Sequence, residues 1–453
     1  MLNTIYNTAN ALRVYQDGLK NTVNDLNNIQ NPNHSKTITT YANMLSVKME
    51  QAGKGYFLGT GASIAEIKRA HDHFTEVQYS QALSSESNLE SQHKNGTRIE
   101  NVITSIDNKG LRTNLTQFFN KWTDLSNNPS SLLHKKEVQG AGKSLANVIN
   151  NSHNELVLTR SEIQSNMRPI LDRVNQLGKE ISELNKQAAG EALANPNGIY
   201  DKINAKIREL SEYVNVNFEQ SEKNGLYNVS VGTMELVKGT TLFSIPDKTS
   251  PSDFSLEDTD GHKYLITGGK LRGLMEGINR IDSKCAELDK FADELRTAVN
   301  TLHSAGKNGS DIDGVNFFND DVGANTFALS TEVSGNANEI RTSITGLEGD
   351  GKLAKDIAKI SESKITGLDN RTFETSFRDF IYSVGNENKN IKEELTIASG
   401  LSKQKQAQRE NLSNPSMEEL MTEIVSQQRC IQAMGMTTRR LDTVLESILG
   451  MMR

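Results

Sequence analysis

The chain has 453 residues and a formal net charge of −7, with an isoelectric point near 5.8. It is long enough for roughly two to four domains and too acidic for a nucleic-acid binder, whose phosphate contacts need a basic surface. Only 35% of residues are hydrophobic and 6% aromatic, with one tryptophan, which is lean for a compact enzyme and suits an elongated helical protein.

From the start, Leu2, Ile5, Ala9, Leu12, Leu19, Val23 and Leu26 recur at spacings of three and four, interrupted by Gln16. This is a heptad stripe, the mark of a helix that packs along its length. It runs into "NDLNNIQNPNHSKT" (24–37). Asn and Pro tolerate tight turns, but a simple turn needs only two or three of them. "GKGYFLGTG" (53–61) follows residues that look helical, so it reads as a glycine-rich turn; a phosphate loop would need a preceding strand.

Amphipathic helical pieces follow at Ile99 to Ile106, Leu111 to Leu125 and Val138 to Ile149. A longer stripe runs Ile163, Met167, Ile170, Val174, Leu177, Ile181 and Leu184, in which Pro169 kinks the helix or marks its true start. The period then changes to two: Val214, Val216 and Phe218 alternate, Asn224-Gly225 supplies a strong hairpin signal, and Tyr227, Val229 and Val231 alternate again. Asp260-Gly261, between Phe254-Leu256 and Tyr264-Ile266, repeats the pattern more weakly. A strict heptad stripe spans Leu274 to Leu302; residues 306–345 read as loop with a strand or two; a further stripe runs Phe373 to Leu395. Last, Ser416 and Glu419 form a capping box after Asn414-Pro415, opening a stripe of Met417, Leu420, Ile424, Ile431, Met434, Leu441, Leu445, Ile448 and Met452, with Gln427 and Thr438 in two of its positions.

Two heptad helices without partners nearby in sequence most simply pack on each other. The expected fold is mainly α: an elongated helical rod with paired N- and C-terminal coiled-coil helices and a small inserted β-rich domain. The expected domains are 1–55 with 405–453 (terminal coiled coil and Asn-rich segment), 56–213 with 270–404 (helical rod) and 214–269 (β-rich insert, with 306–345 a candidate addition).

The search for chemistry returns little. "HDH" (71–73) would place its two imidazoles about 200° apart on a helix, too far to share a metal, and reads as a surface pair. "DIDG" (311–314) lacks the later ligands of a calcium loop. Cys285 falls on an apolar stripe as a buried structural thiol and Cys430 at the edge of the last stripe; two cysteines make no disulfide framework. No stretch approaches the eighteen or so apolar residues of a membrane span, and the first residues lack the apolar run and cleavage site of a secretory leader. No enzyme, cofactor, metal or nucleic-acid signature emerges.

The nested plan resembles that of the bacterial flagellar axial proteins, and within them the hook–filament junction (FlgK) family. "NNIQNPNHSK" is similar to the group's Asn-rich motif through Asn27, Asn28, Ile29, Asn31 and Asn33, although the Pro-Gly-Tyr step is missing before His34. "IKRAHDHF" resembles a family segment through Arg69, Asp72 and Phe74, and "LTQFFNKWTDLSNNPSS" (115–131) another. "GIYDKINAKIRELSEYVNVNF" does so with Asn204 where an acid is usual; "LHSAGKNGSDIDGVNFF" and the last forty or so residues complete an ordered series along nearly the whole chain.

The resemblance implies a structural protein of the flagellum that self-assembles into a ring or helical tube. Its partners would be itself, the flagellar hook protein, hook-associated protein 3 and a cytosolic export chaperone on the last helix. It would be exported without a cleavable signal peptide to the extracellular hook–filament junction. The assembly residues would be Leu2, Ile5, Leu12, Leu19, Val23, Leu26, Asn27, Asn28, Ile29, Asn31, Asn33, Leu420, Ile424, Ile431, Leu441, Leu445 and Ile448. In a tube, an Asn-rich segment would find hydrogen-bond partners on neighbouring subunits; in a monomer it would be a solvated loop. Another flagellar axial protein (hook-associated protein 3 or flagellin-like), or an intracellular coiled-coil scaffold, are the alternatives.

Overall fold

The computed structural model describes residues 2–451 except 52–53, 109, 191–195, 247, 259 and 308–313. In chain order the elements are α1 (Leu2–Asn27), β1 (Thr37–Asn43), β2 (Val47–Gln51), β3 (Lys54–Leu58), β4 (Ala62–Arg69), α2 (His73–Asn108), α3 (Leu111–Asn127), α4 (Leu132–Ser165), α5 (Met167–Gly190) and α6 (Asn197–Tyr213). Then come β5 (Val216–Gln220), β6 (Tyr227–Val231), β7 (Met234–Lys238), β8 (Thr241–Leu242), β9 (Lys248–Ser250), β10 (Ser255–Glu257), β11 (Lys263–Leu265), α7 (Gly269–His303), α8 (Thr331–Gly335), α9 (Lys352–Ala358), α10 (Phe373–Ser413) and α11 (Met417–Met451). The fold is mainly α with four small antiparallel sheets among the described residues.

Local chemistry explains most boundaries. Pro169 lies in the first turn of α5, where its missing N–H costs nothing, so it marks the helix start and makes no kink. The Ser131 hydroxyl caps α4 by accepting from the His134 amide. Asn224-Gly225 turns β5 into β6, with Gly225 at φ 69°, which few other residues adopt without strain. Asp260-Gly261 likewise joins β10 to β11.

One stretch departs from expectation. The described residues of 37–69 carry no helix: β1 pairs with β4 and β2 with β3, each antiparallel. The segment read as a glycine-rich turn is itself largely strand: Lys54–Leu58 is β3, paired with β2, which stands where a helix was expected. Thr37-Ile38-Thr39-Thr40-Tyr41 is β-branched and aromatic, and such residues lose rotamer freedom in a helix and fit a pleated surface. Residues 306–345 also differ, contributing only isolated bridges (Lys307 with Ser343, Phe318 with Leu329), α8 and short 3-10 turns among their described residues.

The chain divides into two compact units. The first comprises 1–84, 173–245 and 399–453. In it α1 runs alongside α11, and β5 to β8 lie on α5, where Asn185 is fully buried and its carboxamide bonds the Tyr227 backbone at both ends (2.8 and 3.1 Å). The second comprises 85–172 and 246–398. Its centre is aromatic: Trp122, Phe118, Phe317, Phe318 and Phe327 are buried, their rings 4.5–6.3 Å apart along the contacting pairs. The α7 stripe is buried from Leu274 to Val299. The Asn300 side chain at its end binds the Phe317 and Phe318 backbone, clamping the following segment onto the helix. Strands β5 to β8 thus belong to one unit and β9 to β11 to the other.

Candidate assembly surface on the first and last helices

The face that α1 buries is not its leucine stripe. The buried positions are Thr8, Ala11, Val14, Gly18, Thr22 and Asp25. The leucine stripe flanks them: Ile5, Leu12, Leu19 and Leu26 are half-buried, and Val23 is exposed; Leu2 lies outside the residues whose side chains are described. Small residues let another element come close. A Cβ on Gly18 would sit 2.2 Å from the Tyr41 hydroxyl, so a larger residue there would displace that tyrosine, whose ring lies 5.6 Å from Tyr15. On α11 the expectation does better: Leu420 and Ile424 are buried, Ile431, Leu441 and Leu445 half-buried, and Ile448 exposed. Met452 lies outside the described residues.

A polar layer joins the two helices. Gln427, 5% exposed, donates from Nε2 to Thr22 Oγ1 at 3.2 Å and to Glu423 Oε1 at 2.9 Å. Such a layer costs stability relative to leucine and favours one pairing, because a slip loses the bonds between Gln427 and Thr22. Apolar side chains remain uncovered along the two helices, including Tyr6, Met421, Val425, Met436 and Val444.

The Asn-rich segment is tied down within its own unit. Asn27 is exposed, Ile29 is half-buried, and Asn28 donates back to the Asn24 carbonyl at 2.9 Å. Asn31 Oδ1 accepts from the Asn33 amide (3.1 Å), and Asn33 Oδ1 accepts from Arg208 (2.8 Å). The Lys36 amide donates to the Ser413 carbonyl, and its own carbonyl accepts from the Ala70 amide, both at 2.8 Å. The segment therefore already has internal partners for part of its polar groups. A polar cavity of about 360 Å³ remains beside it, lined by Asn21, Asn24, Asn28, Asn31, Asn33 and Asn197 among others.

Beneath that cavity lies a buried charge cluster that the sequence did not announce. Asp25, 1% exposed, accepts from His34 Nε2 (2.9 Å), from the Thr37 amide (2.8 Å) and from the Thr37 hydroxyl (2.9 Å). Asp201 accepts from the Ser35 amide (3.0 Å) and from Arg69 (3.1 Å), and Arg69 also donates to the Tyr227 hydroxyl (3.0 Å). Arg208 pairs with the buried Glu76. The hydrogen bond that His34 donates to Asp25, against the opposing effect of burial, raises the His34 pKa above its ordinary value. Buried ions survive only when paired and hydrogen-bonded, and this set joins α1, the Asn-rich segment, β4, α6 and β6.

The chemical candidates resolve into structure. His71 and Asp72 precede α2, and His73 is its first residue. The Asp72 carboxylate caps the helix by accepting from the Thr75 amide at 2.9 Å. Burial pushes the His71 imidazole down to about 3. Burial likewise pushes the Cys285 thiol up to about 12, an inert group. "DIDG" lies outside the described residues apart from Gly314. Asp258, Asp260 and His262 present ligand atoms within 4.8 Å of one another. The Asp258 carboxylate, however, already accepts from the Asp260 amide, the His262 amide and ring, and the Tyr264 hydroxyl, and so closes the β10–β11 turn. No helix among the described residues is long and apolar enough to cross a membrane.

The relatives bear on this arrangement. The family described as flagellar hook-associated protein FlgK helical domain matches residues 96–318. Flagellar hook-associated protein 1 of Bacillus subtilis (strain 168) is 25% identical over 97% of this chain and 96% of its own length. The namesake of Escherichia coli (strain K12) is 24% identical, covering 70% of this chain but only 60% of its own length. A solved structure, the flagellar hook junction protein FlgK from Burkholderia pseudomallei, shares the fold with a TM-score of 0.63 at 14% identity, over 73% of this chain and 99% of that one. The helical middle of the chain thus matches the FlgK helical-domain family, and its similarity to flagellar hook-associated protein 1 extends over nearly its whole length.

Proposed function

We propose that this chain is a structural, non-enzymatic component of the bacterial flagellum at the junction between hook and filament, and that it assembles there with copies of itself through α1, α11 and the Asn-rich segment. The observation that carries the reading is the uncovered apolar stripe. α1 spends its small and polar face on α11 and Tyr41, leaving Ile5, Leu12, Leu19, Val23 and Leu26 half-buried or exposed beside Ile431, Leu441, Leu445 and Ile448. A second copy covering such a stripe would gain about 1 kcal/mol for each half-exposed leucine. A head-to-tail contact repeated with a rotation generates a ring or helical tube.

The cavity beside the Asn-rich segment offers carboxamides, which both donate and accept, to a neighbour's backbone. Residues 1–55 with 405–453 would be the assembling domain, 56–213 with 270–404 the helical domain and 214–269 the β-rich insert. The flagellar hook protein and hook-associated protein 3 would be its axial neighbours. Before export a cytosolic helical chaperone would cover α11, whose exposed methionines adapt to different partners. Export would need no cleavable signal peptide, and the working location would be outside the cell.

The test is substitution in the stripe. Leu12→Asp and Ile448→Asp should leave the isolated chain's fold and melting curve unchanged, because both side chains are partly solvated in it. Cells carrying either variant should show hooks without filaments in electron micrographs. Normal filaments in both strains would sink the reading.

A further inference from the structure

We propose that His34 is a proton-operated latch that holds the Asn-rich segment against α1 and α6 when charged and loosens it when neutral. The geometry is a sandwich: His34 Nε2 lies 2.9 Å from Asp25 on α1, and Nδ1 lies 3.7 Å from Asp201 on α6. The ring is almost buried, with 11% of the side chain exposed, and the two carboxylates have 1% and 9%. An imidazolium carries an N–H on both nitrogens and presents one to each acid. A neutral imidazole carries only one. If it keeps the bond to Asp25, the Nδ1 lone pair faces the Asp201 carboxylate, which repels it.

Charge counting agrees. The other charged groups facing the cluster include Arg69 on β4, bound to Asp201 at 3.1 Å; Lys202 on α6, at the cavity edge; Lys36, drawn away to Glu419 on α11 at 2.8 Å; Arg208 on α6, which holds Asn33 and is neutralised by Glu76 on α2; and Glu423 on α11, whose carboxyl feels the Asp25 charge. Asp25, Asp201, Arg69 and protonated His34 sum to zero. Loss of the proton leaves one carboxylate uncompensated in a nearly dry site. The latch sits where three family-like segments meet: the Asn-rich motif, the strand ending in Arg69, and α6 around Asp201. Its movable part is the segment that lines the asparagine cavity.

Because the Asp25 bond raises the His34 pKa in the folded chain, its contribution is fully present below the unfolded value of about 6.5 and is lost as pH rises through the folded value. Backbone amide exchange of the full chain, read by mass spectrometry on peptides covering 27–37 and corrected for intrinsic rates, tests this. Protection should fall as pH rises from the closed to the open side, by the fold-change that the raised His34 pKa sets. His34→Gln, which keeps a donor and cannot charge, should flatten that dependence. The slow exchange of the His34 ring C2–H reads its pKa in the unmodified chain, and so does not depend on any variant folding. A pKa at or below about 6.5, or a pH dependence that survives in His34→Gln, would overturn the latch.

Discussion

The two units solve opposite packing problems. At the centre of the second, Trp122 and its phenylalanine neighbours interlock with almost no exposure, and His303 is held neutral between the Val315 carbonyl, to which Nδ1 donates, and the Arg341 amide, from which Nε2 accepts. Burial pushes that imidazole down to about 4. In the first, α1 brings threonines, glycine, alanine and one valine to the α1–α11 pair, α11 brings Gln427 with Leu420 and Ile424, and most of the larger apolar side chains stay half in water. An aromatic centre is closed and complete within one chain. A seam of small and polar residues fixes a geometry while its hydrophobic surface stays available. The lesson is that the more exposed apolar surface lies where one pairing is most tightly specified.

Four measurements break or sharpen that contrast. Trp122→Ala should cost about 3–5 kcal/mol, because it empties the middle of the aromatic cluster; denaturant unfolding followed by circular dichroism reads it. A loss under about 1 kcal/mol would mean that the centre collapses around the gap. Asp201→Asn should cost about 2–3 kcal/mol, since Arg69, 6% exposed in its side chain, would keep only a neutral partner. Exchange should then rise in 27–37 and in β4, while peptides around Trp122 stay protected.

Asp72→Ala removes the cap of α2 and should cost about 1 kcal/mol. The hydrogen bonds from Thr75 lower the Asp72 pKa, so this contribution is present above the ordinary carboxylate value and is lost as pH falls through the folded one. The variant and the parent should therefore converge in stability in acid, and a constant gap down to about pH 2 would contradict the cap. Gln427→Leu should change stability least, within about 1 kcal/mol and in the stabilising direction. Its signature is a loss of uniqueness: cysteine pairs placed one heptad out of step on α1 and α11 should begin to cross-link. Cross-linking confined to the native step would remove the selecting role from the glutamine.

Much of the helical plan was legible because long periodic stripes leave few alternatives. The α7 stripe, the start at Pro169 and both hairpin turns stand where spacing and turn chemistry put them. Residues 37–69 were not legible: short strands flanked by glycines give little period to read, and the β-branched run at Thr37 was outweighed by the helical look of its neighbours. The face of α1 failed for a different reason. Hydrophobic spacing finds the leucines, whereas closest approach selects the glycine and threonines, and that choice depends on Tyr41 arriving from another element. The charge cluster was beyond reach for the same cause, since Asp25, His34, Arg69 and Asp201 converge only after folding. The Asn-rich motif and Asp72 were noticed, but their internal hydrogen bonds were not foreseen.

The pairing of α1 with α11 has a consequence in time. Thr22 and Gln427 are separated by 405 positions. During synthesis α1 therefore emerges long before its partner exists, and the pair can close only once α11 has left the ribosome. The entropy of closing so long a loop grows slowly with length and is reduced once the intervening residues are compact. The aromatic centre, complete by residue 398, can form first and shorten the search. The helix pair should accordingly be the last structure to appear in refolding and the first to open.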